Sequence, residues 1–319
     1  MSIAQRLALV TSIATFILIG VGVYVRATGS GLGCPDWPTC HGDVVPISAR
    51  DDHDKAIIEM VHRYFATMVG MLVIATAVAA WKWYRHVPFI TRVATVAVPL
   101  VGFQGLLGAL TVTMKLPPEI VASHLLTAMF VLTAEVAVFV AMYTNDPAHA
   151  GATARLLRPE RRALGKKALF AIAWLAVTMW IGGYMTERGA STACTSWPAC
   201  NGSALLPGSD DHEIVHMAHR YLAAALLFLL IPVIREAWRQ RENLAWSGYV
   251  AQAMLVLYIV QVVVGALNVW YTFPDPLTVS HTVIASGVWV SLATTVILSF
   301  YSPSVETTPR PVTRVGVPA

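Results

Sequence analysis

Hydrophobic positions in this chain neither alternate nor keep to one helical stripe; they run together. Eight stretches, at 7–25, 57–81, 90–113, 120–143, 168–184, 214–234, 246–270 and 277–300, are apolar through most of their length. A helix needs about 20 such residues to cross the hydrocarbon of a bilayer, and one that is apolar all round has no face meant for water. The pattern predicts an all-α integral membrane protein with eight transmembrane helices. The first run is long for a signal peptide and lacks a good small-residue cleavage site. It also has a counterpart at 168–184, so it is read as a helix.

The polar positions that interrupt these runs repeat. His62-Arg63-Tyr64 returns as His219-Arg220-Tyr221, an offset of 219 − 62 = 157. The same offset carries Gln104 onto Gln261, Gly108-Ala109-Leu110 onto Gly265-Ala266-Leu267, and Ser123-His124 onto Ser280-His281. Four helices, an even number, separate the copies, so both halves insert the same way. Two four-helix bundles related by a parallel internal repeat, about an axis along the membrane normal, are expected. The divisions are an N-terminal half 1–144, a basic cytoplasmic linker 145–167, a C-terminal half 168–300, and a tail 301–319. The tail is rich in Pro, Thr and Val and reads as disordered.

Composition agrees: 56% of residues are hydrophobic and 13% charged, against about 25% charged in soluble domains. Charge sets orientation. Arg6; Lys82, Arg85 and Arg92; Arg155, Arg158, Arg161, Arg162, Lys166 and Lys167; Arg235, Arg239 and Arg241; Arg310 and Arg314 make 15 of the 22 Lys and Arg, all on one side. The positive-inside rule predicts a multi-pass protein of the cell (cytoplasmic) membrane with both termini cytoplasmic. The net charge of +4 is spread over membrane-flanking loops and calls for no nucleic-acid partner.

The loops after the first and fifth helices, external on this topology, hold all four cysteines: Cys34-Pro-Asp-Trp-Pro-Thr-Cys40 and Cys194-Thr-Ser-Trp-Pro-Ala-Cys200. An external location favours disulfides Cys34–Cys40 and Cys194–Cys200, each worth at most about 2 kcal/mol for so short a loop. Free structural thiols, redox chemistry at the first pair, and metal binding with the adjacent His41 are the alternatives.

His62, His124, His219 and His281 each lie a few residues into an even-numbered helix, which places them at one depth near the outer face. Ionisable groups at membrane depth are costly and mark functional sites. Imidazoles are axial ligands of haem iron, and bundles build such sites from inward-facing side chains. Hydrogen bonding between helices is the plainer reading, and zinc would want more ligands than each half offers. Arg26, Arg63, Arg188 and Arg220, at outer helix ends, suit paired recognition of haem propionates or interfacial anchoring by snorkelling. Gly102, Gly105 and Gly108 suggest close helix approach.

One carboxylate breaks the repeat. Glu59, three residues before His62 and on the same helix face, falls on His216 in the second half. It either favours the helix start or takes part in chemistry, and His216 is a competitor of His219 for iron. Glu135, eleven residues and about three turns beyond His124, is either satisfied by neighbouring helices or part of a proton path.

The four-plus-four helices, the paired external Cys motifs, Glu-x-x-His-Arg at 59–63 and the four outer histidines together resemble the haem A synthase family over residues 7–300. The resemblance implies an oxidoreductase that converts haem O to haem A by oxidising the methyl at porphyrin position C8 to a formyl group. It implies a resident haem b between His219 and His281, and substrate haem O between His62 and His124 with Glu59 near the reacting edge. The partners implied are haem O, membrane lipid, an electron donor, and the farnesyltransferase that makes haem O. Two other classes compete: a di-haem transmembrane electron-transfer cytochrome b, which normally places haems near both faces, and a haem transporter or chaperone, which has no need of Glu59.

Overall fold

The computed structural model describes residues 1–45, 53–146, 158–201, 206, 210–241 and 245–301. Its long helices are α1 (Ile3–Ala27), α2 (His53–Trp83), α3 (Pro88–Thr113), α4 (Pro118–Thr144), α5 (Arg158–Glu187), α6 (Asp211–Arg239), α7 (Ala245–Trp270) and α8 (Asp275–Phe300). All eight are long and apolar enough to cross a membrane, so the chain is an all-helical multi-pass membrane protein. Local chemistry sets the starts. Ser2 and Gln5 form a capping box at α1, which satisfies two otherwise orphaned donors. Prolines open α3, α4 and α8, where their missing N–H costs nothing.

Several helices outrun their apolar stretches. α2 starts at His53 and α6 at Asp211. α5 starts at Arg158, ten residues before the apolar run at 168, so the last part of the expected linker 145–167 is helical. Positions 147–157 of that linker, and the tail from 302, lie outside the described residues.

Each set of four helices closes into a ring: α1 packs on α2 and α4, and α3 on α2 and α4, while α5 to α8 make the same set of contacts. The rings meet through α4 on α5 and α8, and α1 on α8. The core follows that seam, with Leu132, Met129, Leu164, Trp289 and Leu292 fully buried. Apolar side chains such as Phe103, Val96, Phe228 and Val256 point outward, as a lipid-facing surface requires. Inside, several hydroxyls are satisfied by carbonyls and by one another. Thr11, Ser12 and Thr15 bond carbonyls one turn back, Thr11 meets Thr76 at 2.9 Å, and Trp289 bonds Thr133 at 2.8 Å. Arg161 ties the start of α5 to the end of α8, donating to the Leu298 and Tyr301 carbonyls at 2.6 and 2.7 Å.

Local details recur between the rings. Lys115-Leu116 and Thr272-Phe273 all have φ between 56° and 59°, and they close the same turn, with Leu116 N–H donating to Thr111 O and Phe273 N–H to Asn268 O, both at 2.7 Å. All four residues sit at the 157-residue offset from their counterparts.

Candidate functional site

The four histidines lie toward the Cys-loop end of α2, α4, α6 and α8, and each is backed by a glycine on a neighbouring helix. A Cβ added at Gly22 would stand 3.0 Å from His62 Cε1, at Gly108 3.2 Å from His124, at Gly182 2.8 Å from His219, and at Gly265 3.0 Å from His281. These are closer than side-chain contacts normally run, so a Cβ at any of them would push on the ring, most of all at Gly182. Gly22 and Gly182 were not among the expected residues. Their signal is a second offset, 194 − 34 = 160, set by the cysteines, which carries 22 onto 182. Gly102 and Gly105, expected at a close helix contact, face open space; of that triplet only Gly108 meets a neighbour.

In the C-terminal half the two rings meet edge-on, with centroids 6.4 Å apart and planes at 66°. His219 Nδ1 donates to the Thr178 carbonyl at 3.1 Å, a contact that fixes the tautomer and leaves Nε2 as an electron-pair donor. Gln261 Nε2 donates to His281 Nε2 at 3.1 Å; at the corresponding position Gln104 Nε2 lies 3.4 Å from His124 Nε2 and donates to the His124 carbonyl at 3.0 Å. His62, His124 and His281 each keep a buried Nδ1 without a protein partner. No group of three or more His, Cys, Asp or Glu fit to hold a metal ion occurs among the described residues. Two imidazoles on opposite sides of one metal are a different matter. Metal–nitrogen bonds of about 2 Å on each side set ring centres roughly 6 Å apart, so this pair fits a planar metal macrocycle ligated from both faces.

Above the histidines sit the two cysteine loops. Cys34–Cys40 and Cys194–Cys200 are disulfides, each with Cα atoms 4.7 Å apart. Gly33 lets the first loop lie on α2, since a Cβ there would stand 2.5 Å from the Lys55 backbone. Asp36 organises the loop, accepting from Thr39 Oγ1 and the His41 N–H, both at 2.6 Å, and from the Gly42 N–H at 2.9 Å. Burial pushes its carboxyl up, but these hydrogen bonds outweigh it and hold the pKa at about 2. In the second loop Asn201 does this work, bonding Thr195 and the Ala193 carbonyl at 3.0 Å.

Glu59 is only 3% exposed. Its Oε2 accepts the Cys34 N–H at 2.8 Å and its Oε1 meets Arg63 Nη2 at 2.5 Å. Arg63 Nη1 donates to the Asp36, Pro38 and Thr39 carbonyls, and Arg220 Nη1 to the Ser196, Pro198 and Ala199 carbonyls. These forks, expected to recognise propionates, therefore grip the loops; backbone carbonyls leave no mark in a sequence. His216 bonds the Ala190 carbonyl and Arg220 rather than joining His219 and His281. Arg26 pairs with Glu187 across the two rings, while Arg188, exposed, reaches Tyr184 Oη at 3.1 Å. Glu135 is remote from the site. It is 1% exposed with no protein partner for Oε2, about 16 Å along α4 from His124, and Leu292 stands at its repeat position.

Fold and site together define a polytopic helical membrane protein with four half-buried, glycine-backed histidines toward one end of its two helix rings. The chain belongs to the COX15-CtaA family, described as cytochrome oxidase assembly protein, whose family model matches residues 5–293. It is 31% identical over 254 residues to the Heme A synthase of Alkalihalophilus pseudofirmus, covering 78% of this chain and 82% of that protein. It is 29% identical to the Heme A synthase of Shewanella oneidensis, covering 92% and 94%, and 30% identical to that of Geobacillus kaustophilus, covering 80% and 78%.

Proposed function

We propose that this chain is an oxidoreductase that makes haem A, oxidising the C8 methyl of haem O to a formyl group for use in terminal oxidases. The relatives' shared name supports the product. The single observation that carries the reading is the glycine-backed imidazole pair His219/His281, with ring centres 6.4 Å apart, which fits a resident haem b. When bound there, a haem b supplies one-electron redox chemistry. His62 and His124 hold the substrate from α2 and α4, at the positions that match His219 and His281.

Glu59 gives the halves their division of labour. It is the ionisable group three residues from His62, where the second half has His216. Its carboxylate already accepts one bond on each oxygen and has further lone pairs on both. Through one of these it takes a proton as the methyl passes electrons to an external oxidant and gains oxygen in successive steps, ending with loss of water from a geminal diol. Positioned general bases contribute about 10²–10⁴ in rate. The protein lies in the cytoplasmic membrane with both termini inside, draws electrons from a separate donor, and receives haem O from the farnesyltransferase that makes it.

The test is co-expression with a haem O source, followed by chromatography of extracted haems. Wild type should yield haem A, and Glu59→Gln should accumulate haem O or a part-oxidised species while its resident haem spectrum is unchanged. Absence of haem A from the wild type would reject the activity; a normal yield from Glu59→Gln would reject the carboxylate's role.

A further inference from the structure

The two disulfide loops are fastened by one device with two different charges. Arg63 and Arg220 each gather three loop carbonyls through Nη1, at 2.7–3.4 Å and 2.8–3.1 Å. The contact four residues back differs. Arg63 Nη2 meets the Glu59 carboxylate, their side chains 12% and 4% exposed. Arg220 Nη2 lies 3.0 Å from His216 Nε2. A guanidinium only donates, so that nitrogen accepts, and His216 Nδ1 donates to the Ala190 carbonyl at 3.1 Å. His216 is thereby a neutral imidazole. Glu59 cancels the charge of Arg63, whereas the buried partner of Arg220 leaves its charge standing. The acids farther out match each other: Asp36 in the first loop, and Glu213, bonded to Asn201, beside the second. One unit of buried charge therefore separates the two clamps.

We propose that this difference sorts the two histidine-pair sites by how firmly they retain a tetrapyrrole carrying carboxylates. The inference rests on the two-site reading above. The cationic clamp over His219 and His281 favours keeping an anionic macrocycle as a permanent cofactor. The neutralised clamp over His62 and His124 favours letting one go, as a site must when its occupant is converted and passed on. Because the Nη1 donors are committed to the loops, each arginine acts as a fixed charge and not as a fork on the carboxylates. A charge held away from water acts more strongly than one at the surface. Glu59 then serves release as well as chemistry.

The measurement is the rate at which purified full-length protein loses haem to an excess of apomyoglobin, followed by absorbance at low salt. His216→Glu should lose the resident haem about tenfold faster than His216→Gln, the scale of one unit charge across a protein interior. Equal rates would overturn the proposal. Glu59→Gln, given added haem b, should release the second equivalent about tenfold more slowly than wild type. If His216→Glu fails to fold, this second arm decides alone, slower release supporting the proposal and unchanged release overturning it. His219→Ala separates the two levels: retention of the resident haem in that variant rejects the two-site reading itself. Its loss, with both charge arms flat, rejects only the sorting.

Discussion

If His219 ligates a resident haem b, as proposed, replacing Gly182 with alanine should cost the protein that haem. The added Cβ would stand 2.8 Å from His219 Cε1 and 3.0 Å from Nδ1, inside the 3.5–4.0 Å at which carbon atoms pack well. The ring cannot recede freely, because Nδ1 is held by the Thr178 carbonyl at 3.1 Å. Nor can α5 shift the other way without disturbing Gly183, which lies against Ala122 of α4. Overpacking of this kind costs roughly 1–3 kcal/mol, and the hydrogen bond at risk contributes about 1 kcal/mol. If about 2 kcal/mol of that falls on the ligated state, retention weakens about 30-fold. Gly105→Ala is the control, since a Cβ there meets nothing within 4 Å and helix propensity favours the change by up to about 1 kcal/mol. Haem-to-protein ratio by pyridine haemochrome, beside a melting curve for each variant, reads the outcome. A Gly182→Ala protein with wild-type haem content and spectrum would refute the reasoning.

Three further outcomes are expected. Reporter fusions at residues 160 and 205 should give opposite signals, the first cytoplasmic; matching signals would overturn the orientation. Mass spectrometry of non-reduced peptides should find Cys34 joined to Cys40 and Cys194 to Cys200, and a Cys34–Cys194 link would contradict the loop geometry. Asp36 predicts an acid effect. A folded pKa of about 2 lies below the ordinary value near 3.9, so the stability it brings is complete above about pH 4 and lost as pH falls towards 2. Reduction of Cys34–Cys40 by a phosphine should therefore quicken over that window, while Cys194–Cys200, whose loop is tied by Asn201, should not. Parallel behaviour of the two loops would dismiss Asp36 as the cause.

Much of this was legible in the chain. The eight spans are visible because a lipid-facing helix must be apolar throughout, and the ligand candidates because an ionisable group among such residues stands out. Helix lengths are less visible: α2, α5 and α6 are already helical at His53, Arg158 and Asp211, ahead of their apolar runs, so hydropathy reports the run and not the element. The arginines show the other limit. Arg63 and Arg220 directly follow His62 and His219 in the chain, yet most of their hydrogen bonds go to backbone carbonyls, which any residue supplies. Gly22 and Gly182 pair through the cysteine offset, which also carries Tyr24 onto Tyr184 and Gly29 onto Gly189; the first helix of each half carries no histidine to set the register. Glu59 was conspicuous as the repeat-breaking acid, but its bond to the Cys34 N–H depends on Gly33 letting the loop come down onto α2.

The central claim is that the two histidine pairs do different work, and haem analysis of two alanine variants tests it most directly. Each would be co-expressed with a haem O source and purified, and its bound and extracted haems compared. His219→Ala, left with one ligand of the pair, should purify without the resident haem b. His62→Ala should keep that haem with an unchanged spectrum and make no haem A. Loss of the resident haem from His62→Ala and its retention in His219→Ala would contradict the account.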